Sequence, residues 1–247
     1  MISRAHILFA LMVVGSVCLA PSRALAMHIS EGILPVPWAV LWFAVAIPFV
    51  ALGLRSLRIR SQAEPYLKPW VGLVGAAVFV ISCMPVPVPT AGTCSHPCGT
   101  GLAAILIGPL LSVVVSSVAL TLQALFLAHG GLSTLGANIV SMGIVGSFSG
   151  YGAFVLARRV GASWVVAAFL AGIVSDWGTY AATSLVLAAG LHGDGSLWTM
   201  FATILLAFVP TQIPLGILEG AVAAGAYGFV RSRRPDFLGI PAKGGAL

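Results

Sequence analysis

Apolar stretches of membrane-crossing length recur along this chain, and several of them end at arginines. They cover residues 38–54, 70–84, 102–128, 139–157, 163–189 and 197–230. Arg55, Arg58 and Arg60 follow the first, Arg158 and Arg159 the fourth, and Arg231, Arg233 and Arg234 the last. A helix needs about 20 residues to cross about 30 Å of hydrocarbon. Backbone polar groups in lipid must be satisfied inside the structure, and segments of this length achieve that as helices. Charged residues make up only 7% of the 247, against about 25% in a soluble domain. Hydrophobic residues make up 59%. These values exclude an ordinary soluble enzyme and a disordered chain. The formal charge of +6 sits at the ends of apolar stretches. It reads as membrane topology, not as a nucleic-acid surface. The expected fold is all-α, a polytopic transmembrane helical bundle.

Residues 1–26 have the three parts of a secretory signal peptide. Arg4 supplies positive charge, residues 7–20 an apolar run, and Ala24-Leu25-Ala26 a small-residue cleavage site. Cleavage after Ala26 leaves a domain of 221 residues, 27–247, with ten cations against six anions. The mature chain then begins Met27-His28. A translation start at Met27 would give the same beginning.

The arginine-rich ends put residues 55–68 and the C-terminus in the cytoplasm and the mature N-terminus outside. That requires an odd number of spans, so one of the six stretches must be broken. Splitting 197–230, which contains Pro210 and Pro214, suits its length but leaves Arg158 and Arg159 outside. A break at Gly108-Pro109 puts both arginines inside but gives short passes. Seven spans are expected. Gly143, Gly146, Gly150 and Gly152 read as small residues that let helices approach closely.

A histidine at position 2 of a chain has specific chemistry. The α-amine, the deprotonated residue-2 amide and the imidazole close two fused chelate rings on one metal ion, with a fourth position open. Planar nitrogen ligation of this kind suits Ni(II) or Cu(II). After cleavage, Met27 supplies the amine and His28 the other two donors. His96 lies in a Pro/Gly-rich loop on the same side and is a candidate fourth ligand; a histidine that merely caps its loop is the alternative. Cys94 and Cys98 flank His96 and read as a disulfide, a packing pair, or a softer metal site. Asp176, Glu219 and Glu31 lie within or beside apolar stretches, where charge is costly and function is the default expectation. A packing network is the other reading of Asp176 and Glu219. His129 and Asn138 bracket a polar break that forms a turn or a cavity wall. No phosphate-binding G-x-x-x-x-G-K-[ST] loop occurs in the sequence, so any ATPase lies on another chain.

Four separated motifs resemble one family. They are Met27-His-Ile-Ser-Glu-Gly-Ile-Leu-Pro35, Cys94-Ser-His-Pro-Cys-Gly-Thr-Gly101, Ala128-His-Gly-Gly-Leu-Ser-Thr-Leu-Gly-Ala-Asn138 with Ser141-Met-Gly-Ile144, and Gln212-Ile-Pro-Leu-Gly-Ile-Leu-Glu-Gly220. Together they look like the substrate-binding membrane component of cobalt/nickel energy-coupling-factor transporters, the CbiM/NikM family. The resemblance implies capture of Co(II) or Ni(II) outside the bacterial cytoplasmic membrane, with no cofactor beyond the transported ion. It implies as partners a transmembrane coupling subunit, two cytoplasmic ATPases and a small accessory membrane subunit. It also implies ligation by Met27, His28 and His96, with Glu31, Cys94, Cys98 and Asn138 in support. Ser30, Cys94 and Cys98 depart from the family's usual residues, and the two thiols soften the site. A slight leaning to cobalt comes from likeness to the cobalamin-associated branch. The alternatives are a nickel-specific component, an intramembrane enzyme using Asp176, Glu219 or Ser149, and a metal sensor that does not transport.

Overall fold

Pro35 and Pro37 start the first long helix, where the missing N–H groups have no intrahelical partner to lose. This helix, α1 (Val36–Ala63), leads through a short turn into α2 (Leu67–Ser82). A small antiparallel hairpin follows, β1 (Val86–Val88) and β2 (Thr93–Ser95), with Pro87 opposite Cys94. Then come α3 (Thr100–Ile107), α4 (Pro109–Phe126), α5 (Leu135–Arg159), α6 (Trp164–Leu191) and α7 (Leu197–Arg233). The computed structural model describes residues 28–84, 86–88 and 93–239. The expected signal segment 1–26 and Met27 lie outside these residues.

Five helices, α1 and α4 to α7, are long and apolar enough to cross a membrane. The break falls at Gly108-Pro109. Gly108 takes φ +92° and ends α3, and Pro109 opens α4. The other candidate break is not used: α7 runs unbroken for 37 residues through Pro210 and Pro214. The eight-residue α3 is about 12 Å long and packs between α2 and the end of α1. At its start, a Cβ on Gly99 would touch Val78 and Ile81 near the end of α2. At its finish, the Arg60 guanidinium donates to the Ile107 carbonyl at 3.1 Å. Among the described residues α2 has only 16 residues and α3 only eight, so five helices, not the expected seven, have membrane-crossing length.

The arginines gather at one end. Arg231 lies 5.7 Å over the Trp164 ring, beside the turn that carries Arg158 and Arg159. Phe237, just past α7, stacks on Tyr66 and packs against Trp70 at the start of α2. His28, His129 and His192 lie at the other end.

Small residues set the helix spacing. Ala39, Ala46 and Gly53 repeat every seven residues on the buried face of α1, and a Cβ on Gly53 would lie 2.5 Å from the Leu110 carbonyl oxygen of α4. A Cβ on Gly150 would lie 2.8 Å from the Ala171 carbonyl oxygen and 3.0 Å from Gly101 Cα, where α3, α5 and α6 meet. Gly146 is equally confined, between Thr100 and Thr179. Gly143 is in ordinary contact, but Gly152 faces open space and has no packing role of the expected kind. The outward faces carry Val40, Ile47, Leu54, Leu206 and Phe229, all exposed, as a lipid-facing surface requires.

Candidate metal centre

The segment before α1 folds down onto the end of the bundle because α5 and the loop before it hold its backbone. Asn138 clasps Ile29 with both ends of its amide. Its Oδ1 accepts from Ile29 N at 2.9 Å, and its Nδ2 donates to Ile29 O at 3.2 Å. The Thr134 hydroxyl also donates to Ile29 O. Glu31 is exposed, and its carboxylate accepts from Ser133 N at 3.1 Å. Hydrogen bonds from Ser133 hold its pKa below the usual carboxylate range. Gly130 and Gly131 make room for this contact. A Cβ on Gly131 would lie 2.5 Å from Glu31 Cα, and Gly130 sits at φ +82° against His28 Cβ.

This clamp buries His28 (4% exposed) beside His96 (0%). The two Nε2 atoms are 3.1 Å apart. His129 completes the group, with ring centroids 4.7 Å from His28 and 5.1 Å from His96. The three imidazoles can bring nitrogens within 4.8 Å of one another. His129 arrives there from the end of α4. Leu127 N and His129 N both donate to the Gln123 carbonyl, and Ala128 between them takes φ +49°.

The tautomers follow from the neighbours. Ser82 Oγ donates to Val78 O at 2.7 Å, so it accepts from Gln123 Nε2, also at 2.7 Å. Gln123 Oε1 therefore faces His28, whose Nε2–H donates to it at 2.9 Å. His96 Nδ1–H donates to the Pro97 carbonyl at 2.9 Å, which can only accept. In the neutral rings, His28 Nδ1 and His96 Nε2 then carry lone pairs. Burial, followed by the His96 and His129 rings, pushes the His28 pKa well below the ordinary histidine value. Burial lowers that of His129. Neutral imidazole is the metal-binding form.

The sequence candidates thus divide. His28 and His96 come together, with Asn138 and Glu31 fixing the segment that carries His28. Cys98 does not join them. It is a free thiol, which removes the disulfide reading, and it sits with Asp176 and Glu219. Met27 and the Cys94 side chain lie outside the described residues. Two contributors were not singled out as site residues from sequence. Gln123 is a lone amide in an apolar stretch and carried the same signal as Asp176 and Glu219. His129 was read only as bracketing a polar break, because the histidines it joins are 33 and 101 residues away in sequence. The Ser149 hydroxyl is directed at the Gly146 and Val174 carbonyls at 3.3 Å.

A family model for the cobalt uptake substrate-specific transmembrane region, CbiM, matches residues 28–237. The chain belongs to the CbiM family. It is similar to a cobalt transport protein CbiM of Sorangium cellulosum, with 64% identity over 212 residues, 86% of this chain and 94% of that one. A CbiM of Geobacter sulfurreducens is 59% identical over 226 residues, 92% of this chain and 65% of that longer protein. The fold is similar to a crystal structure of a truncated transition metal transporter, with TM-score 0.73 and 24% identity over 83% of this chain and 99% of that chain. CbiM membership makes the chain a component of cobalt uptake, a transporter and not an enzyme.

Proposed function

We propose that the chain captures Co(II) on the outer face of the bacterial cytoplasmic membrane, as the substrate-specific component of an energy-coupling-factor transporter. The Met27 amine, the His28 amide and imidazole, and the His96 imidazole hold the ion. One observation carries this reading. Gln123 Oε1 accepts a hydrogen bond from His28 Nε2–H, which leaves Nδ1 for the metal, and Nδ1 is the ring nitrogen that closes a six-membered chelate with the residue-2 amide. His96 Nε2 lies 3.1 Å from the other ring nitrogen, His28 Nε2, so its imidazole adjoins the chelating ring.

The arginine end of the bundle faces the cytoplasm, as positive-inside topology favours. The histidine end, with the mature N-terminus, then faces outward. The coupling subunit, two ATPases and small accessory subunit follow from the motif resemblance, as does supply of cobalt for cobalamin biosynthesis. A planar nitrogen set also suits Ni(II). The relatives named as cobalt transport proteins favour Co(II).

Radioactive cobalt uptake by cells carrying the cognate partner subunits tests this. An alanine inserted between Ala26 and Met27 moves histidine to position 3 of the mature chain and abolishes uptake. Full uptake by that variant, with N-terminal sequencing showing the alanine in place, overturns the chelate. His96→Ala is expected to lower uptake sharply as well.

A further inference from the structure

A second group of ligand-type side chains lies deeper in the bundle. Cys98 comes from the loop before α3, Asp176 from α6 and Glu219 from α7. Cys98 Sγ and one oxygen from each carboxylate lie within 4.8 Å of one another. All three residues are buried, at 0%, 0% and 2% exposure. Glu219 fixes the loop over the group, accepting from Cys98 N at 2.7 Å and Gly99 N at 2.9 Å. Cys98 Sγ donates to Asp176 Oδ1 at 3.9 Å.

Two features of this group call for a cation. Asp176 Oδ2 is buried and has no hydrogen-bond partner. It lies on the side facing Gly216, where a Cβ would come within 3.2 Å of it. Among the described residues, the ion pairs are Arg60–Glu64 and Arg234–Asp236, so neither buried carboxylate has a cationic side chain paired with it. A carboxyl buried without such a partner either keeps its proton or gives it up to bind a metal ion.

We propose that Cys98, Asp176 and Glu219 form a second divalent transition-metal site, a stop for the ion on its way from the histidines toward the arginine end. The transit role rests on the histidine site proposed above; the binding does not. One segment serves both sites, because His96 and Cys98 are two residues apart. Tyr180, whose hydroxyl donates to His96 O at 3.2 Å, lies one turn of α6 from Asp176, about 6 Å along the axis. The side chains offer up to three negative charges, and a divalent ion cancels two. Cys98 binds as thiolate and releases its proton to the buffer. A sulfur donor favours a transition metal over Mg(II) or Ca(II), which take oxygen.

The test is a Co(II) titration of the purified full-length protein in detergent, followed by absorption and by metal analysis. The wild-type chain is expected to take two equivalents and to develop a thiolate-to-cobalt charge-transfer band. Cys98→Ser removes the band. Asp176→Asn, close to isosteric, removes both the band and the second equivalent. His28→Ala removes one equivalent and leaves the band. No band in the wild-type protein, or a band and second equivalent that persist in Asp176→Asn, overturns the proposal. Failure of the histidine site reads separately, as a His28→Ala protein that still binds both equivalents.

Discussion

Gln123 Oε1 accepts a hydrogen bond from His28 Nε2–H across 2.9 Å in the buried end of the bundle, and its own amide nitrogen is held by Ser82. The amide therefore cannot turn over without breaking two hydrogen bonds, and His28 is kept in the tautomer whose Nδ1 is unprotonated. Partners of this kind are worth about 10–100-fold in metal affinity.

Replacing Gln123 with Leu removes that constraint while keeping the volume. Co(II) affinity of the purified protein, measured by equilibrium dialysis, is expected to fall about 10–100-fold. An unchanged affinity means that the ring orientation is set elsewhere.

Asn138→Ala orphans Ile29 N, and Ile29 O keeps Thr134 as a partner. One unsatisfied buried group costs about 1–3 kcal/mol. Thermal unfolding in detergent should fall accordingly, and cobalt affinity should drop because the residue next to His28 is no longer held. Asn138→Asp keeps the acceptor for Ile29 N and is expected to lose less.

The His28 and His129 pKa values are depressed in the fold, whereas in the unfolded chain both titrate near about 6.5. The folded state then binds fewer protons below that pH. Stability is present in full above about 6.5 and is lost as pH falls further. Melting temperature of the metal-free protein should decline from about pH 7 downward, and His28→Ala should flatten the decline.

The same depression changes the proton count of metal binding. With the imidazoles already neutral, the protons released near pH 7 come from the α-amine, with its ordinary value of about 7.7–8.0, and from the His28 amide. About two protons per Co(II) are expected by calorimetry in buffers of different ionisation enthalpy. A value near zero excludes the amine–amide chelate.

Gly150→Val places methyl groups where the Ala171 carbonyl and Gly101 already touch the backbone. Overpacking of this kind costs about 1–3 kcal/mol or more. Loss of folded protein in detergent extraction is the expected outcome. Gly152→Val, which meets open space, should leave folding unaffected and serves as the control.

The amino-acid sequence by itself determined what is local. Residue-by-residue hydropathy defined the apolar stretches, arginines marked their ends, and Gly108-Pro109 stood as one of two possible breaks because glycine and proline punctuate helices wherever they fall. The pairing of His28 with His96 was legible because the chemistry of a second-residue histidine asks for a further imidazole on the same side. The rest was decided by the tertiary structure. Whether α7 or the 102–128 stretch broke depended on packing, which carries α7 through two prolines. Cys98 resembled a partner of His96 in sequence, yet the backbone turn at Pro97 and Gly99 delivers it to Glu219, 121 residues away. Gln123 reaches His28 across 95 residues and Asn138 reaches Ile29 across 109. Pairings at such separations leave no periodic trace in the sequence, because they are selected by which helix faces meet, and that is fixed only when the small residues of α3, α5 and α6 bring the backbones together.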